Sequence, residues 1–312
     1  LHFTRINHGP FFYLAVGVAL HITIRLRNWT GNVQSQPRQI ALPQSLDEVV
    51  SIVRVKLRVL PAYRLRYQSL RMPLDECLSS LDTFKQSHRH FEFFSFPYSD
   101  TVQVKFMNET SEPSSANQQW SYLKKMVVEN GLFWLLSESC RLRPALARSV
   151  SRLSAQSVPA VNESGYSHEL FATPRLVHFY EMEYCLPAEH MGEAIREMRQ
   201  AIEQERFNVH FPLECRYVKK DDIWLSPAYE RDSAFIAVYM YKGMPYEAYF
   251  ARMEQIFRRY GGRPHWGKMH NMTADELHQV YPRLPDFLAI RSRLDPDGMF
   301  VNPYLSELFG LS

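Results

Sequence analysis

The chain has 312 residues, of which 46% are hydrophobic and 13% aromatic, enough to bury one large core or two modest ones. Its net charge of +3 at pH 7 is too small to indicate a nucleic-acid-binding surface. The four cysteines are scattered, with no C-x-x-C pair, so the sequence argues against a zinc site or a disulfide framework and favours a reducing compartment. We therefore expect neither a nucleic-acid partner nor a bound metal.

Residues 1–24 contain an unbroken apolar run over positions 11–20, with Arg5 in front of it. The run is shorter than the roughly 18 apolar residues that a membrane-spanning helix needs. A secretory signal would be followed by a small-x-small cleavage site, and none is evident. We interpret residues 1–24 as a peripheral or atypical leader.

Residues 25–59 carry two patterns that follow each other without a turn. Ser45 and Glu48 form a capping box in front of a short apolar helix. Residues 53–59 then alternate Val or Leu with Arg or Lys, as a half-buried strand does. Because a reversal of the chain needs turn residues, we interpret residues 51–55 as a junction.

The first half of the remaining chain predicts helices over 73–84 and 120–152, strands over 90–96 and 101–107, and a loop over 108–119. Between positions 141 and 152 every charged residue is an arginine. A basic amphipathic segment of this kind is either a solvated helix beside a core helix or a helix that lies on an anionic membrane surface.

The second half predicts strands over 175–186, 209–218 and 233–241. A helix begins at Pro187, and a second over 246–260 ends at Gly261-Gly262. Thr273 and Glu276 cap a third. There is no G-x-G-x-x-G and no P-loop motif, and strands do not alternate strictly with helices. The order predicts the α+β class, a large antiparallel sheet covered on one face by helices.

Glu214 and Arg216 lie two residues apart in the predicted strand over 209–218, so they share one face with His210. Taken alone, the pair is either a solvent-exposed ion pair or a polar binding site. A carboxylate accepts hydrogen bonds from hydroxyls and a guanidinium donates to lactone oxygens, which suits a polyol ring.

Two later segments are unusual. Residues 264–269 read Pro-His-Trp-Gly-Lys-Met and place His265, Trp266 and Lys268 directly behind a glycine turn. Residues 294–304 read Leu-Asp-Pro-Asp-Gly-Met-Phe-Val-Asn-Pro-Tyr near the end of the chain. Isolated side chains of these types are usually surface or packing residues.

In this order, the segments around Glu214, Lys268 and residues 294–304 resemble the aldonolactone oxidases, vanillyl-alcohol-oxidase-like flavoenzymes that include D-arabinono-1,4-lactone oxidase and L-gulonolactone oxidase. The resemblance implies an FAD-dependent oxidoreductase of ascorbate-type biosynthesis that oxidises a sugar 1,4-lactone by hydride transfer to flavin, with oxygen as acceptor. It implies that residues 60–312 form the cap, or substrate, domain, with 281–312 returning to the FAD-binding domain.

The resemblance also assigns roles to residues. It implies that Glu214, Arg216 and Lys268 are catalytic, and that Glu214 and Arg216 bind the substrate together with His210. Lys268 corresponds to a lysine at the flavin, where an ammonium favours the negatively charged reduced ring. His265 and Trp266 belong to the same cofactor-binding motif.

The first 60 residues depart from the pattern of the family. Residues 25–53 resemble the entry to the family's FAD-binding domain and residues 54–66 its exit, so 25–59 are interpreted as a remnant that lacks on the order of 100–150 residues and the pyrophosphate loop. One hypothesis is an active enzyme, with a separate flavin-domain chain as a partner. The other is a catalytically inactive relative, serving as an interaction module or arising as a gene-model fragment. Either protein is expected in the cytoplasm or at the membrane periphery.

Overall fold

The computed structural model describes residues 26–27, 34–35, 61–115, 130–171 and 177–311. The chain divides into two compact units, Leu1–Val55 and Lys56–Ser312. In the first unit, β1 (Leu26–Arg27) pairs antiparallel with β2 (Gln34–Ser35). The predicted leader over 1–24, the capping box at Ser45 and the junction over 51–55 lie outside the described residues. The domain boundaries therefore stay predictions.

The described part of the second unit is built on an eight-stranded sheet in which every pair of neighbours is antiparallel. Across the sheet the strand order is β10-β7-β9-β8-β4-β5-β3-β6. The strands are β3 (Arg64–Pro73), β4 (His90–Ser95), β5 (Thr101–Glu109), β6 (Val161–Tyr166), β7 (Phe179–Pro187), β8 (Leu213–Val218), β9 (Ser233–Tyr241) and β10 (Arg263–Pro264).

Helices connect these strands and follow the last of them. They are α1 (Leu74–Ser79), α2 (Leu81–Ser87), α3 (Asn130–Leu142), α4 (Ala147–Ser157), α5 (Ser167–Phe171), α6 (Met191–Gln204), α7 (Glu247–Arg259), α8 (Ala274–Val280), α9 (Leu284–Leu294) and α10 (Pro303–Phe309). The helix predicted over 120–152 is two helices where it is described, because Pro144, which has no N–H to donate, begins a 3₁₀ turn between α3 and α4. Its part before residue 130 lies outside the described residues.

One face of the sheet packs under helices and forms the core. Phe93, Leu213 and Ile236, from three neighbouring strands, are fully buried there. Tyr184 of β7 stacks on Phe257 of α7 with ring centroids 4.9 Å apart. The predicted α+β class, a large antiparallel sheet packed with helices, is confirmed. The opposite face carries Glu181 and Glu183 of β7 with Glu214 and Arg216 of β8, and is called the polar face below.

Two local predictions on the C-terminal side are confirmed. Gly261 follows α7 with φ +65°, a conformation that glycine adopts without strain. A side chain at Gly262 would place a Cβ 2.7 Å from the Phe257 carbonyl oxygen, so the chain can approach α7 this closely only without one. Thr273 accepts a hydrogen bond from the Glu276 N–H, and the Glu276 carboxylate accepts one from the Thr273 N–H.

All four cysteines, at positions 77, 140, 185 and 215, are buried free thiols. Burial raises the pKa of Cys77 to about 12 and that of Cys140 to about 11, because a thiolate would lose its hydration. Among the described residues, no helix combines the length and apolar character that crossing a membrane requires.

Arg199 of α6 supports the turn between β4 and β5. Its guanidinium is buried and donates to the carbonyl oxygens of Phe96 at 3.2 Å and Ser99 at 2.5 Å. We expect Arg199→Met to lower the free energy of unfolding by about 2–3 kcal/mol, because these acceptors lose their charged donor. Urea titration measures the change. The matched variant Arg196→Met, at an exposed position of the same helix, should stay within about 0.5 kcal/mol of the wild type; equal losses in both would contradict the assignment.

Candidate functional site

The predicted pairing of Glu214 and Arg216 on one face of a strand is found in β8. Glu214 lies opposite Ala237 of β9, and Arg216 lies opposite Phe235. The Arg216 Nη1 is 3.4 Å from the Glu214 Oε1. The strand begins at Leu213, directly after Pro212, which cannot donate a ladder hydrogen bond.

Glu214 is a buried carboxylate with only 6% of its surface exposed. The Tyr239 hydroxyl donates to its Oε2 at 2.6 Å. The alternative of a solvent-exposed ion pair therefore does not describe Glu214. Tyr239, which the sequence did not single out, belongs to the site because it lies two residues after Ala237 on the same face of β9.

Arg216 is shared between two carboxylates. Its Nη2 donates to the Oε1 of Glu183, and its Nη1 faces Glu214. Burial works to lower the pKa of the guanidinium, but the charges of Glu183 and Glu214 outweigh it and hold the pKa above its ordinary value. The side chain remains 41% exposed, so the cation faces outward while its partners lie beneath it.

Glu183 is a site residue that the sequence analysis missed. It lies on β7 and is 1% exposed, and its Oε2 is buried without a hydrogen-bond partner. The signal was present in residues 180–184, Tyr-Glu-Met-Glu-Tyr, where two carboxylates alternate with Met182. It was missed because nothing local to this strand shows that Arg216 lies within reach.

Lys268 lies at the edge of the same sheet. Its ammonium is bonded to Glu181 of β7, and its side chain is 29% exposed. The turn that carries it is fixed at both ends by backbone hydrogen bonds to β7, from His265 N to the Glu183 carbonyl at 2.9 Å and from Met269 N to the Glu181 carbonyl at 3.0 Å. The structure therefore attaches Lys268 and Arg216 to the same strand.

His265 and Trp266 make contacts within the chain. The Gly267 N–H donates to the His265 Nδ1 at 3.0 Å, which tightens the turn before Lys268. The Trp266 indole donates to the Leu225 carbonyl at 2.8 Å and packs on Tyr281 with ring centroids 4.6 Å apart. These contacts shape the turn; contact of either residue with a cofactor stays a prediction.

His210 is placed differently from the prediction. It precedes β8 and is fully buried, with its Nε2 3.0 Å from the Ser137 hydroxyl of α3. The strand does not extend back to residue 209, so the expectation that His210 lies beside Glu214 and Arg216 on a strand face is wrong. Desolvation lowers its pKa to about 4.

A cavity of about 440 Å³ opens beside Glu214 and Tyr239. Its walls are mainly apolar and include Phe94 and Phe179, and Lys105 contributes a cation. The volume lies within the roughly 300–1,000 Å³ that is typical of small-molecule sites.

The site combines cations that are partly exposed with carboxylates that are buried. Arg216 and Lys268 can donate to an oxygen-rich or negatively charged planar group above the polar face. The Glu214 carboxylate, next to the cavity, can accept hydrogen bonds from hydroxyl groups. Such an arrangement suits a polyhydroxylated ring better than an apolar ligand.

The chain matches the family model described as D-arabinono-1,4-lactone oxidase over residues 55–308. It is 35% identical over 292 residues to L-gulono-1,4-lactone dehydrogenase of Mycobacterium tuberculosis, an alignment that covers 93% of this chain and 68% of the relative. It is 32% identical over 315 residues to L-gulonolactone oxidase of Scyliorhinus torazame, covering 99% of this chain and 71% of that protein.

The fold is similar to that of cholesterol oxidase from Brevibacterium sterolicum, with a TM-score of 0.60 at 16% sequence identity. The similarity covers 80% of this chain and 60% of that structure. At this identity it shows a shared fold alone. The chain thus spans about two thirds of the length of the two relatives above and less of this structure.

The burial of His210 makes a pH-dependent stability testable. In the unfolded chain the His210 imidazole is protonated below about pH 6.5, whereas in the folded chain it is protonated only near pH 4. The free energy of unfolding therefore falls as the pH is lowered from about 6.5 to about 4, and it levels off below pH 4. We expect the wild type to lose about 2–3 kcal/mol relative to His210→Gln between pH 7 and pH 4. Parallel stability curves for the two proteins, measured by urea unfolding, would contradict this account.

Proposed function

The chain belongs to the D-arabinono-1,4-lactone oxidase family, and we propose that residues 61–311 provide the substrate side of an FAD-dependent enzyme that oxidises a sugar 1,4-lactone. The family consists of oxidoreductases that act on the CH–OH group of aldonolactones. The observation that carries the proposal is that Arg216 and Lys268, far apart in sequence, are each bonded to a glutamate of one strand, β7, and that Arg216 also contacts Glu214.

In this proposal Arg216 and Glu214 bind and orient the lactone. The outward guanidinium of Arg216 donates to the lactone oxygens, and the buried Glu214 carboxylate accepts from a ring hydroxyl. When a hydride leaves the substrate carbon, negative charge develops on the attached oxygen. A fixed cation shielded from water stabilises that charge more effectively than solvent does.

The described residues fit the ring end of FAD. When bound, the isoalloxazine ring accepts the hydride, and its reduced form carries negative charge. Lys268 and Arg216 are partly exposed cations on the polar face, so we assign Lys268 to the ring and leave Arg216 to the substrate. His265 and Trp266 enter the proposal as residues that shape the Lys268 turn. We assign no described residue to the diphosphate of FAD.

The electron acceptor is part of the proposal. One relative is named an oxidase and another a dehydrogenase, names that differ in the acceptor they indicate. We propose oxygen and a place in ascorbate-type biosynthesis. Hydrogen peroxide released in proportion to lactone consumed would support oxygen; turnover that depends on an added dye would contradict it.

The absorbance of purified protein with added FAD tests the proposal. Bands near roughly 370 and 450 nm that stay with the protein and bleach with L-gulono-1,4-lactone would support it. Retention of FAD only after a flavin-domain chain is added would identify that chain as the partner. Protein that stays colourless in both cases would favour the alternative, an inactive relative that acts as an interaction module or a gene-model fragment.

A membrane surface is a further proposed contact, which would place the protein at the membrane periphery rather than free in the cytoplasm. Helix α3 exposes Leu132, Trp134 and Leu135, and Arg141 and Arg143 follow in the chain. We expect salt-sensitive binding to anionic vesicles, because surface attraction is screened within about 10 Å at 0.1 M salt. Vesicle sedimentation measures it. Equal binding to neutral vesicles, or no binding, would count against a membrane contact.

The kinetics of site variants test the assigned roles. In flavin-loaded protein, Glu214→Gln and Arg216→Ala should each lower kcat/KM by at least about tenfold, or about 1.4 kcal/mol of transition-state stabilisation. Tyr239→Phe, which removes one donor to Glu214, should cost about two- to tenfold.

The matched control for these kinetics is Glu197→Gln, which removes a carboxylate from an ion pair with Arg259 outside the site. It should leave kcat/KM unchanged. Wild-type kinetics in a site variant would remove that residue from the site.

A further inference from the structure

Strand β7 presents two carboxylates side by side on the polar face. Glu181 and Glu183 are two residues apart and point to the same side, whereas Met182 between them is buried in the core. Their side chains take different partners. Glu181 binds the ammonium of Lys268, and Glu183 binds the guanidinium of Arg216.

The same two residues also hold the backbone of the turn that carries Lys268. The carbonyl of Glu183 accepts from His265 N at 2.9 Å, and that of Glu181 accepts from Met269 N at 3.0 Å. The turn closes on itself through Lys268 N and the His265 carbonyl at 3.0 Å. Glu181 therefore holds the Lys268 turn through both its main chain and its side chain, whereas Glu183 holds that turn through its main chain and Arg216 through its side chain.

Glu183 has a feature that an ordinary structural ion pair lacks. It is 1% exposed, and its Oε2 is buried without a donor although its Oε1 is bonded to Arg216. A buried carboxylate oxygen without a donor is unfavourable, and a functional role is one of the few reasons for which a native fold retains such an atom. Arg216 itself contacts a second carboxylate, since its Nη1 lies 3.4 Å from the Oε1 of Glu214.

We propose that Glu181 and Glu183 are positioning residues that set the direction and separation of the two cations of the site, Lys268 and Arg216. The importance of this geometry for catalysis rests on the proposed function, in which Arg216 meets the lactone and Lys268 meets the flavin ring. The pairing is one to one. Each carboxylate restrains its own cation, and neither is needed for the other.

Hydrogen exchange of the side-chain N–H groups, followed by NMR on the full 312-residue chain with labelled arginine and lysine, tests the pairing. In Glu183→Gln the exchange of the Arg216 N–H groups should accelerate by about tenfold, while that of the Lys268 ammonium stays within about twofold of the wild type. Glu181→Gln should give the converse result.

The matched control is Glu197→Gln on α6, which should accelerate exchange at Arg259 and leave both site cations unchanged. The proposal is overturned when neither site cation responds, or when each variant affects both cations alike, as a general loosening of the fold would. If a glutamine variant does not fold, Glu181→Asp and Glu183→Asp retract the carboxylate by one methylene and retain its charge. The same one-to-one response is then expected, and exchange as in the wild type would overturn the proposal.

Titration with L-gulono-1,4-lactone in the same experiment separates this inference from the proposed function. The lactone should shift the Arg216 signal of the wild type, and Glu183→Gln should weaken this binding about fivefold or more, whereas Glu181→Gln should not. A wild-type chain whose Arg216 signal does not respond to lactone would count against the proposed function. The exchange pattern, measured without lactone, still decides the positioning role.

Discussion

The polar face depends on one guanidinium that joins two strands which do not touch each other. Glu183 of β7 and Glu214 of β8 both lie opposite Ala237 of β9, so a full strand separates them. Arg216 reaches both carboxylates, and the methyl side chain of Ala237 is small enough to leave space for this bridge. Taking two carboxylates and one guanidinium out of water offsets most of the attraction between them, so the bridge contributes geometry more than stability.

The parts of the molecule that could be predicted from the sequence are those set by local periodicity. Alternating residues marked the strands around Phe93 and Glu214, and an apolar run marked the strand around Ile236. Glycine or capping residues marked the end of α7 and the start of α8. The partners of the site residues are set by strand pairing instead. Nothing near β7 in sequence indicates that β9 separates it from β8, so Glu181 and Glu183 could be seen as a pair but not as the partners of Lys268 and Arg216. His210 was misplaced because the strand pattern was extended through Pro212.

Proteins that share this fold do not all share a ligand. Cholesterol oxidase shares the fold at 16% identity, and its name indicates an apolar sterol, whereas the relatives at 32–35% identity are named for a sugar lactone. A shared fold does not fix the ligand, which depends on side chains outside the common core. In this chain the polar face carries the buried carboxylates of Glu183 and Glu214 next to Arg216, a pattern suited to hydroxyl and carbonyl groups.

The burial of the four cysteines bears on how well the protein resists oxidation. An enzyme that passes electrons to oxygen generates peroxide close to its own side chains, and the thiolate is the form of cysteine that peroxide attacks. Cys77 and Cys215 lie in the core, where desolvation keeps their thiols protonated, and Cys140 and Cys185 are also buried. The packing that stabilises the sheet would thus also protect the protein from the by-product of the reaction proposed for it.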